Sequence, residues 1–593
     1  MKKIEQDNNV SNIRINEDAF LKLSKRKKIL EQGTGHFTGY PSIDMPWLKY
    51  YTEEQIMAPI PNMSAIEYLK LLNNNNLHLP AIEFFGHQIT YLELFKKIND
   101  ITKSLHALSV KAGDIITIML PACPEETFLF YAIDQIGACA NFVFPGTPLN
   151  EVKGIMEDLD STTLIILDDI LMQQNEIINN PQYKIVTTTL SGEYRIKGEN
   201  ITPWNEFEQN GKNEIVPIYK RNQEEPLFIA KTGGTTGKPK SVMLSDRNFN
   251  LLVQQHLNSA LEYNSGDRWL RLWPIFSATA AVSSCHLPLC AGMTMVLEPS
   301  FDVDKMDEII YRHKPAHTPL ITSCVTNLIN SELLKNEDMS YIKSMGTGGE
   351  GMTEEFEMAA KEFFKKHNIN TFVGCGYGMT ENGSGSVARI NEETSVIGGT
   401  GIPMLNNIVS IFDPETKEEL TYGQEGEVCI LSSTFMLGYY KDEETTNKIL
   451  QKHKDGRIWL HSGDLGYMDD NGQLYIKGRM KRVIFIYSGE KVYPQTIEEI
   501  LEGLEIIDRA IVVAEPDPLH DNAIVPCVFV TLNKEISNNE LELIIKDVLT
   551  PQVASYVKIN SVYVKKELPK TAVGKVDIKK LEEEAIVLSK KKQ

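Results

Sequence analysis

The chain has 593 residues, more than one hydrophobic core organises, so two or more domains are expected. With 42% hydrophobic and 24% charged residues it is globular, and no run of 18 apolar residues offers a membrane span. A net charge of −20 argues against general affinity for nucleic acid or anionic lipid.

Residues 1–45 are polar, with a basic helix-like stretch, "LKLSKRKKILEQ", and read as an N-terminal extension. The basic start has no apolar stretch behind it, so no secretory signal is expected. Eight scattered cysteines without a Cys-x-x-Cys pair point to a reduced, cytoplasmic protein. From about residue 64 helical and strand patterns alternate: "ITYLELFKKINDITKSLHAL" and "PEETFLFYAIDQIGACA" as helices, "DIITIML" and "TTLIILDD" as buried strands. Such alternation indicates α/β layers. "EPLFIA" and "SVMLS" read as strands flanking a Gly/Thr/Lys loop, and Ser245 reads as the N-cap of the helix that follows. Beyond about residue 395 the chain is strand-rich, and Asn471-Gly472 signals a hairpin turn. The last 110 or so residues mix strands with the helices "YPQTIEEILEGL" and "NNELELIIKDVL", enough for a small α+β domain.

The loop "KTGGTTGKPKSVMLS" (Lys231–Ser245) concentrates glycines, threonines and lysines. Glycines let backbone N–H groups approach an anion, threonine hydroxyls add donors and lysines supply charge, so phosphate is the expected guest. It is not a P-loop: only three residues separate Gly233 from Gly237, and Pro239 stands where that motif has Ser or Thr. A Walker-type NTPase is therefore disfavoured.

"TGGTTGKPKSV" resembles the phosphate-binding signature of the adenylate-forming superfamily of acyl-CoA and aryl-CoA ligases, stand-alone adenylation domains and luciferases, with Ser241 where glycine is usual. Further segments resemble the family in the same order: "MGTGGEGM", "GYGMTENG", "GTGIPM", "GEVCILSSTFMLGYYKDEETT", "IWLHSGDLGYMDDNG", "KGRMKRV" and "LPKTAVGKV". The resemblance implies a large multi-layer domain over 46–480, α/β layers plus a distorted β-barrel-like part, and a small mobile α+β domain over 481–593. It implies that Thr232, Gly233, Gly234, Thr235, Thr236, Gly237 and Lys240 cradle the phosphates of ATP, with Gly349 and Glu350 beside the adenine. Tyr377 would stack on the base, Thr380 meet the α-phosphate, Glu381 ligate magnesium, and Asp464 and Arg479 hold the ribose. Lys575 would be the catalytic lysine, Lys481 the hinge, and Gly489 a lining of the thiol entrance. The residue types suit these roles. A carboxylate accepts from both hydroxyls of a diol, hard Mg2+ prefers oxygen, and an ammonium offsets charge on a pentavalent phosphorus.

The expected acyl pocket draws on Phe276, Ser277, Thr322, Gly348 and Gly374, small or apolar residues that fit a fatty or aromatic acid. No acid follows Phe276 to pair a substrate ammonium, which disfavours an α-amino acid. Ser277 stands where CoA ligases often have histidine. The thiol acceptor therefore stays open between CoA and a carrier-protein phosphopantetheine. His286, lone and near the pocket, reads as structural. The function implied is ATP- and Mg2+-dependent acid–thiol ligation through acyl-AMP. The alternatives are a carrier-protein-loading acyl-AMP ligase and a nucleotide-binding regulator without turnover.

Overall fold

The computed structural model describes residues 27, 37–171, 177, 180–217, 219–232, 240–299, 302–348, 352–482, 484–487, 491–520, 523–553, 557–570 and 576–592. Two large sheets carry most of the core. In the first, Pro226–Lys231, Cys139–Phe142, Ile115–Met119, Thr163–Leu167, Lys184–Thr188 and Ile201–Pro203 run parallel, in that order. Parallel strands are covered on both faces, so they read as apolar runs; all five residues of Thr163–Leu167 are buried. Ser241–Ser245 turns antiparallel onto Pro226–Lys231, and Gly438–Tyr439 adds a short antiparallel edge.

The second sheet has a parallel centre of Pro80–Phe84, Thr294–Leu297, Arg268–Arg271, His317–Leu320, Ser344–Thr347 and Val373–Tyr377. Val387–Ala388 and Ile402–Pro403 extend it antiparallel beyond Tyr377. Helices fill the layers and start where local chemistry dictates. Thr90 and Glu93 form a capping box for Tyr91–Ala107, and Pro124 opens Pro124–Ile136. Ser245 does cap Asp246–Leu257, with Asn248 completing the box.

A third, antiparallel sheet contains Asn407–Phe412, Gly426–Ser432, Ile458–Met468 and Leu450–Lys452, with Leu474–Arg479 paired to Ile458–Met468. Gly472 takes φ +87° in the turn that brings Leu474 back opposite Met468. The segment before this body is tied to it: Ser42 donates to Glu419 from its backbone N (2.9 Å) and from Oγ (2.8 Å), and Tyr422 donates to Asp44 at 3.2 Å.

The C-terminal part is a small α+β unit. Ile507–Pro516 and Ile524–Leu532 pair antiparallel, and Val562–Val564 joins parallel. Side chains alternate across this sheet. Val512 and Val528 pack with Ile497, Leu501 and Leu541 from the helices Pro494–Glu502 and Asn538–Leu549. Ile511 and Phe529 pack with Leu581 and Ala585 from Ile578–Lys592 on the other face. No helix among the described residues is long and apolar enough to cross a membrane.

His286 lies in a π-helical turn, Val282–His286, and is fully buried. Asn250 donates its Nδ2 to Met63 O at 2.8 Å, which turns Oδ1 toward His286 Nε2 at 3.0 Å. Nε2 therefore carries the proton, and Nδ1 accepts from the Tyr131 hydroxyl at 3.0 Å. One neutral tautomer satisfies every group. Burial holds this imidazole down at about 3, from 6.5. The unfolded chain takes up a proton near pH 6.5 that the folded chain refuses until about pH 3. The stability His286 contributes is thus complete above pH 6.5 and lost as pH falls, by about 1.4 kcal/mol per unit. His286→Gln is expected to flatten the fall in urea-unfolding free energy between pH 7 and pH 5 by that amount; an unchanged slope would contradict the assignment.

Candidate active site

The edges of the three sheets meet where the sequence motifs fall. Tyr377 ends the strand Val373–Tyr377 of the second sheet, and its hydroxyl donates to Asp464 Oδ2 at 2.6 Å. Asp464 comes from the third sheet and is only 5% exposed. Its other oxygen, Oδ1, takes Arg479 Nε at 2.8 Å, and the two residues are register partners across Ile458–Met468 and Leu474–Arg479. Burial raises the Asp464 carboxyl pKa while the Arg479 guanidinium opposes it, and burial and the Asp464 charge push the Tyr377 phenol up. The Arg479 side chain stays 52% exposed, so the pair is open to solvent on one side.

A bulge presents Asp464. Glu427 pairs with Leu465 while Cys429 pairs with His461, so Ser462, Gly463 and Asp464 face the single residue Val428 on the neighbouring strand. The bulge is braced at each residue. Ser462 Oγ donates to Val428 O (2.5 Å) and accepts from Asp464 N (3.0 Å), and Glu427 Oε1 accepts from Gly463 N (3.1 Å). Glu427 Oε2 lies 2.8 Å from His461 Nδ1, and His461 Nε2 meets His453 Nε2 at 2.8 Å. Glu427, Cys429 and His461 are close enough to gather a metal ion. With Glu427 committed to His461, Gly463 and Lys417, and burial raising the Cys429 thiol pKa, they read instead as the brace of the Asp464 bulge.

Three residues past Tyr377, Thr380 opens the short 3-10 turn Thr380–Asn382. Gly378 is needed there: a Cβ on it would stand 1.8 Å from Ser384 O. Asn382 holds the turn through Ser386 Oγ (2.6 Å) and Thr434 Oγ1 (2.9 Å), and Asn248 of the capping box donates to the Thr434 and Phe435 carbonyls. Glu381, 8% exposed, accepts from the Tyr439 hydroxyl at 2.7 Å. The same Tyr439 ring lies 4.9 Å from Lys240 Nζ. Lys240 and Thr232 stand at the two ends of the Gly/Thr/Lys loop, with Thr232 N donating to Lys240 O at 2.9 Å. An oxygen donor beside the loop's cation suits Mg2+, which binds through one or two carboxylates and substrate phosphates.

Gly233, Gly234, Thr235, Thr236 and Gly237 lie outside the described residues, as do Gly349, Glu350, Gly489 and Lys575. The described flanks of the Lys575 loop pair through a bridge between Lys570 and Val576 and through Asp577 N to Pro569 O at 2.7 Å. Lys481 falls in the 3-10 turn Met480–Arg482. Of the expected acyl pocket, Phe276 meets Phe144 edge-on at 5.3 Å, and Ser277 caps the helix Ala278–Ala281. Thr322 opens the helix Thr322–Ile329. A Cβ on Gly374 would come within 2.9 Å of the Gly346 backbone, so close strand packing requires glycine there, whereas Gly348 faces open space. Glu126 accepts from Ile275 N and pairs with fully buried Arg271, fixing the start of the Phe276 segment. Sequence reasoning does not single out Tyr439, Glu427, His461 or Glu126. The first three lie inside segments that resemble the family, but their partners are distant in sequence.

The family model described as AMP-binding enzyme matches residues 73–440, and that described as AMP-binding enzyme C-terminal domain matches 496–575. The 4-coumarate–CoA ligase 1 of Arabidopsis thaliana is 29% identical over 502 residues, covering 83% of this chain and 87% of that protein. The long-chain-fatty-acid–CoA ligase of Bacillus subtilis is 27% identical over 568 residues, covering 91% and 98%. Among solved structures, ATP-bound MatB from Rhodopseudomonas palustris aligns with a TM-score of 0.76 at 21% identity, covering 88% of this chain and 99% of that one. O-succinylbenzoate Coenzyme A synthetase from Bacillus subtilis, in complex with ATP and magnesium ion, aligns at 0.71 and 24% identity, covering 86% and 98%.

Asp464→Asn keeps the shape and removes the charge that would receive two ribose hydroxyls. Charged hydrogen bonds are worth about 1.5–3 kcal/mol each, so KM for ATP is expected to rise by about tenfold or more, and loss of the charged acceptor for Tyr377 and Arg479 is expected to lower the unfolding temperature as well. A KM within twofold of the parent would remove Asp464 from the nucleotide site.

Proposed function

Because the chain belongs to the AMP-binding enzymes, we propose that it activates a carboxylic acid, fatty or aromatic, as acyl-AMP and transfers the acyl group to the thiol of CoA. The observation that carries this reading is one continuous run of contacts. It leads from Arg479 through Asp464 to Tyr377, along the backbone to Glu381, and on through Tyr439 to Lys240. That run would lay ribose groups at one end and phosphate groups at the other.

In the first step a carboxylate oxygen of the acid attacks the α-phosphorus of ATP, and pyrophosphate leaves. Lys240, the phosphate loop and Thr380 would bind and orient the phosphates. Lys575 would meet the negative charge that crowds the pentavalent phosphorus. Mg2+ held through Glu381 would supply neutralising charge at the phosphates. In the second step the thiol attacks the acyl carbonyl of the mixed anhydride, a thioester forms and AMP leaves. No protein nucleophile is required.

Residues 46–480 would act as the large domain and 481–593 as the small one, with Lys481 between them as hinge. Arg479 is bound to Asp464 of the large part, while Arg482, three residues on, donates to Glu498 (2.5 Å) and to Val512 O (3.0 Å) of the small part. The chain between these anchors is where a rotation would be absorbed. One arrangement would bring Lys575 to the α-phosphate, and the other would bring the loop around Gly489 to the thiol entrance.

Acid-dependent exchange of pyrophosphate into ATP, with AMP as the nucleotide product, is the expected result for a panel of carboxylic acids. Release of inorganic phosphate, or no exchange with any acid, would overturn the reading and favour a nucleotide-binding regulator. Ser277, where CoA ligases often have histidine, keeps a carrier-protein acceptor in view; parallel assays with CoA and with a phosphopantetheinylated carrier decide between them. Lys575→Ala is expected to block adenylate formation yet largely spare thioester formation from supplied acyl-AMP. Equal loss in both half-reactions would refute the two-arrangement mechanism.

A further inference from the structure

Two carboxyl groups meet one guanidinium in the interior. Asp134 lies near the end of the helix Pro124–Ile136, Asp246 opens the helix Asp246–Leu257, and Arg221 precedes the strand Pro226–Lys231. All three side chains are at most 1% exposed. Arg221 Nε donates its one hydrogen to Asp134 Oδ1 at 3.1 Å, and Asp246 Oδ2 lies 3.5 Å from the same nitrogen. Asp134 Oδ2 accepts from Ile66 N and Asp246 Oδ1 from Ala65 N, both at 2.8 Å. These are the first two amides of the helix Ala65–Leu72, which no carbonyl of that helix can take. Both oxygens of Asp134 thus have donors. Asp246 Oδ2 is fully enclosed and has none among the described residues.

Two carboxylates against a single guanidinium leave one buried negative charge uncompensated, which is costly. The surroundings do not supply the balance. Lys70 and Glu67, on the helix Ala65–Leu72, both act on Asp134, with opposite signs. Burial pushes the Tyr131 phenol well up and the Cys139 thiol to about 12, and Glu225 raises the Tyr219 phenol beside Arg221, so all three stay neutral. A proton on Asp246 Oδ2 removes the excess charge and gives that oxygen a bond to make, toward Asp134. Burial and the Asp134 charge push the Asp246 carboxyl well above the usual carboxylate range. The helix ends pull the other way, since Asp246 starts a helix and Asp134 nearly ends one. A terminal dipole is weaker than the direct charged bond from Arg221, so the charge stays on Asp134.

We propose that Asp134 and Asp246 share one proton at neutral pH, carried on Asp246, and that this proton locks the root of the hairpin that bears Thr232 and Lys240. Pro226 and Ser245 are register partners at the open end of that hairpin, and Lys231 and Ser241 at the other, where the Gly/Thr/Lys loop joins them. Arg221 Nη1 donates to Pro226 O at 2.9 Å and Nη2 to Ala138 O, while Asp246 directly follows Ser245. One strand is therefore fastened by the guanidinium and the other by the carboxylic acid. Positioning of ATP by this hairpin rests on the acid-activating reading above, whereas the shared proton does not.

The test uses the full-length protein and reads urea unfolding against pH. Unfolded Asp246 has lost its proton above about pH 4, whereas the folded residue keeps it. Unfolding then releases a proton, and the stability from this group falls as pH rises until the folded carboxyl ionises. Asp246→Asn mimics the protonated acid and has no proton to release. Between about pH 5 and pH 7 the ratio of parent to variant unfolding constants is expected to rise about tenfold per pH unit, and the variant should unfold at an equal or higher temperature at neutral pH. Asp134→Asn sets a donor against Arg221 Nε or Ile66 N, so it should unfold at a lower temperature and raise KM for ATP about threefold or more, with KM for the acid little changed. Arg221→Lys, which keeps the charge and drops the bonds to Pro226 and Ala138, is expected to do the same and serves if Asp134→Asn folds poorly. An unfolding ratio that does not change with pH overturns the shared proton. A KM for ATP unmoved in both Asp134→Asn and Arg221→Lys overturns the lock on the hairpin. The ratio is read without turnover, so absence of pyrophosphate exchange with every acid would overturn acid activation while the ratio still decides the proton.

Discussion

The carboxylate of Asp464 is the constraint on which the arrangement turns. Its two oxygens are taken by groups from different parts of the chain: Tyr377 at the end of the second sheet and Arg479 at the end of the strand that leads to the small C-terminal unit. A nearly buried carboxylate is costly unless paired and hydrogen-bonded. That cost makes the position of Asp464 selective, since a small rotation of either sheet would leave it short of a partner. The bulge at Ser462–Asp464 and its brace from Glu427 aim the carboxylate before any ligand arrives. The half-exposed side of Arg479 leaves room for a ligand to enter the pair without unfolding it.

Around this centre, buried ion pairs set the registry of the layers. Arg389 grips Glu357 at 2.8 Å and 3.0 Å with both groups fully buried, tying the helix Glu354–Lys366 to the chain beyond Val387–Ala388. Arg271 and Glu126 do the same between the second sheet and the helix Pro124–Ile136, and Glu126 also holds the Ile275 amide. Such pairs return little net stability over apolar packing, but they are strongly destabilising when one partner is lost. Here they sit at the roots of the expected acyl segment and of the strand that leads to Tyr377. Their effect is to make wrong packings expensive.

Much of the architecture is legible in the amino-acid order because parallel strands must be apolar along their whole length. "TTLIILDD" and "DIITIML" read as buried strands for that reason, and Ser245 as a cap because a helix pattern follows it. The motifs around Tyr377 and Asp464 are legible as motifs, but their contact is not: they lie in different sheets, and no local periodicity couples them. Tyr439 reads only as part of a connecting segment. It reaches Glu381 because Gly438–Tyr439 pairs with Val242 and Met243 at the edge of the first sheet.

The connection between the two parts follows the same logic of anchored ends. Arg479 belongs to the Asp464 cluster, and Arg482 is fastened to Glu498 and to the Val512 carbonyl. Both arginines are therefore spoken for, one on each side, and the slack in that stretch lies in the residues between them. Gly478 sharpens the junction: at φ +138° it lies close enough to Gln495 that an added Cβ would come within 2.9 Å of the Gln495 side-chain oxygen. The link is thus short, tightly packed at its start and pinned at both ends. In a short link of this kind only a few dihedral angles are open to change between the two anchors. The Asp464 carboxylate and the link to the C-terminal unit are therefore joined through Arg479.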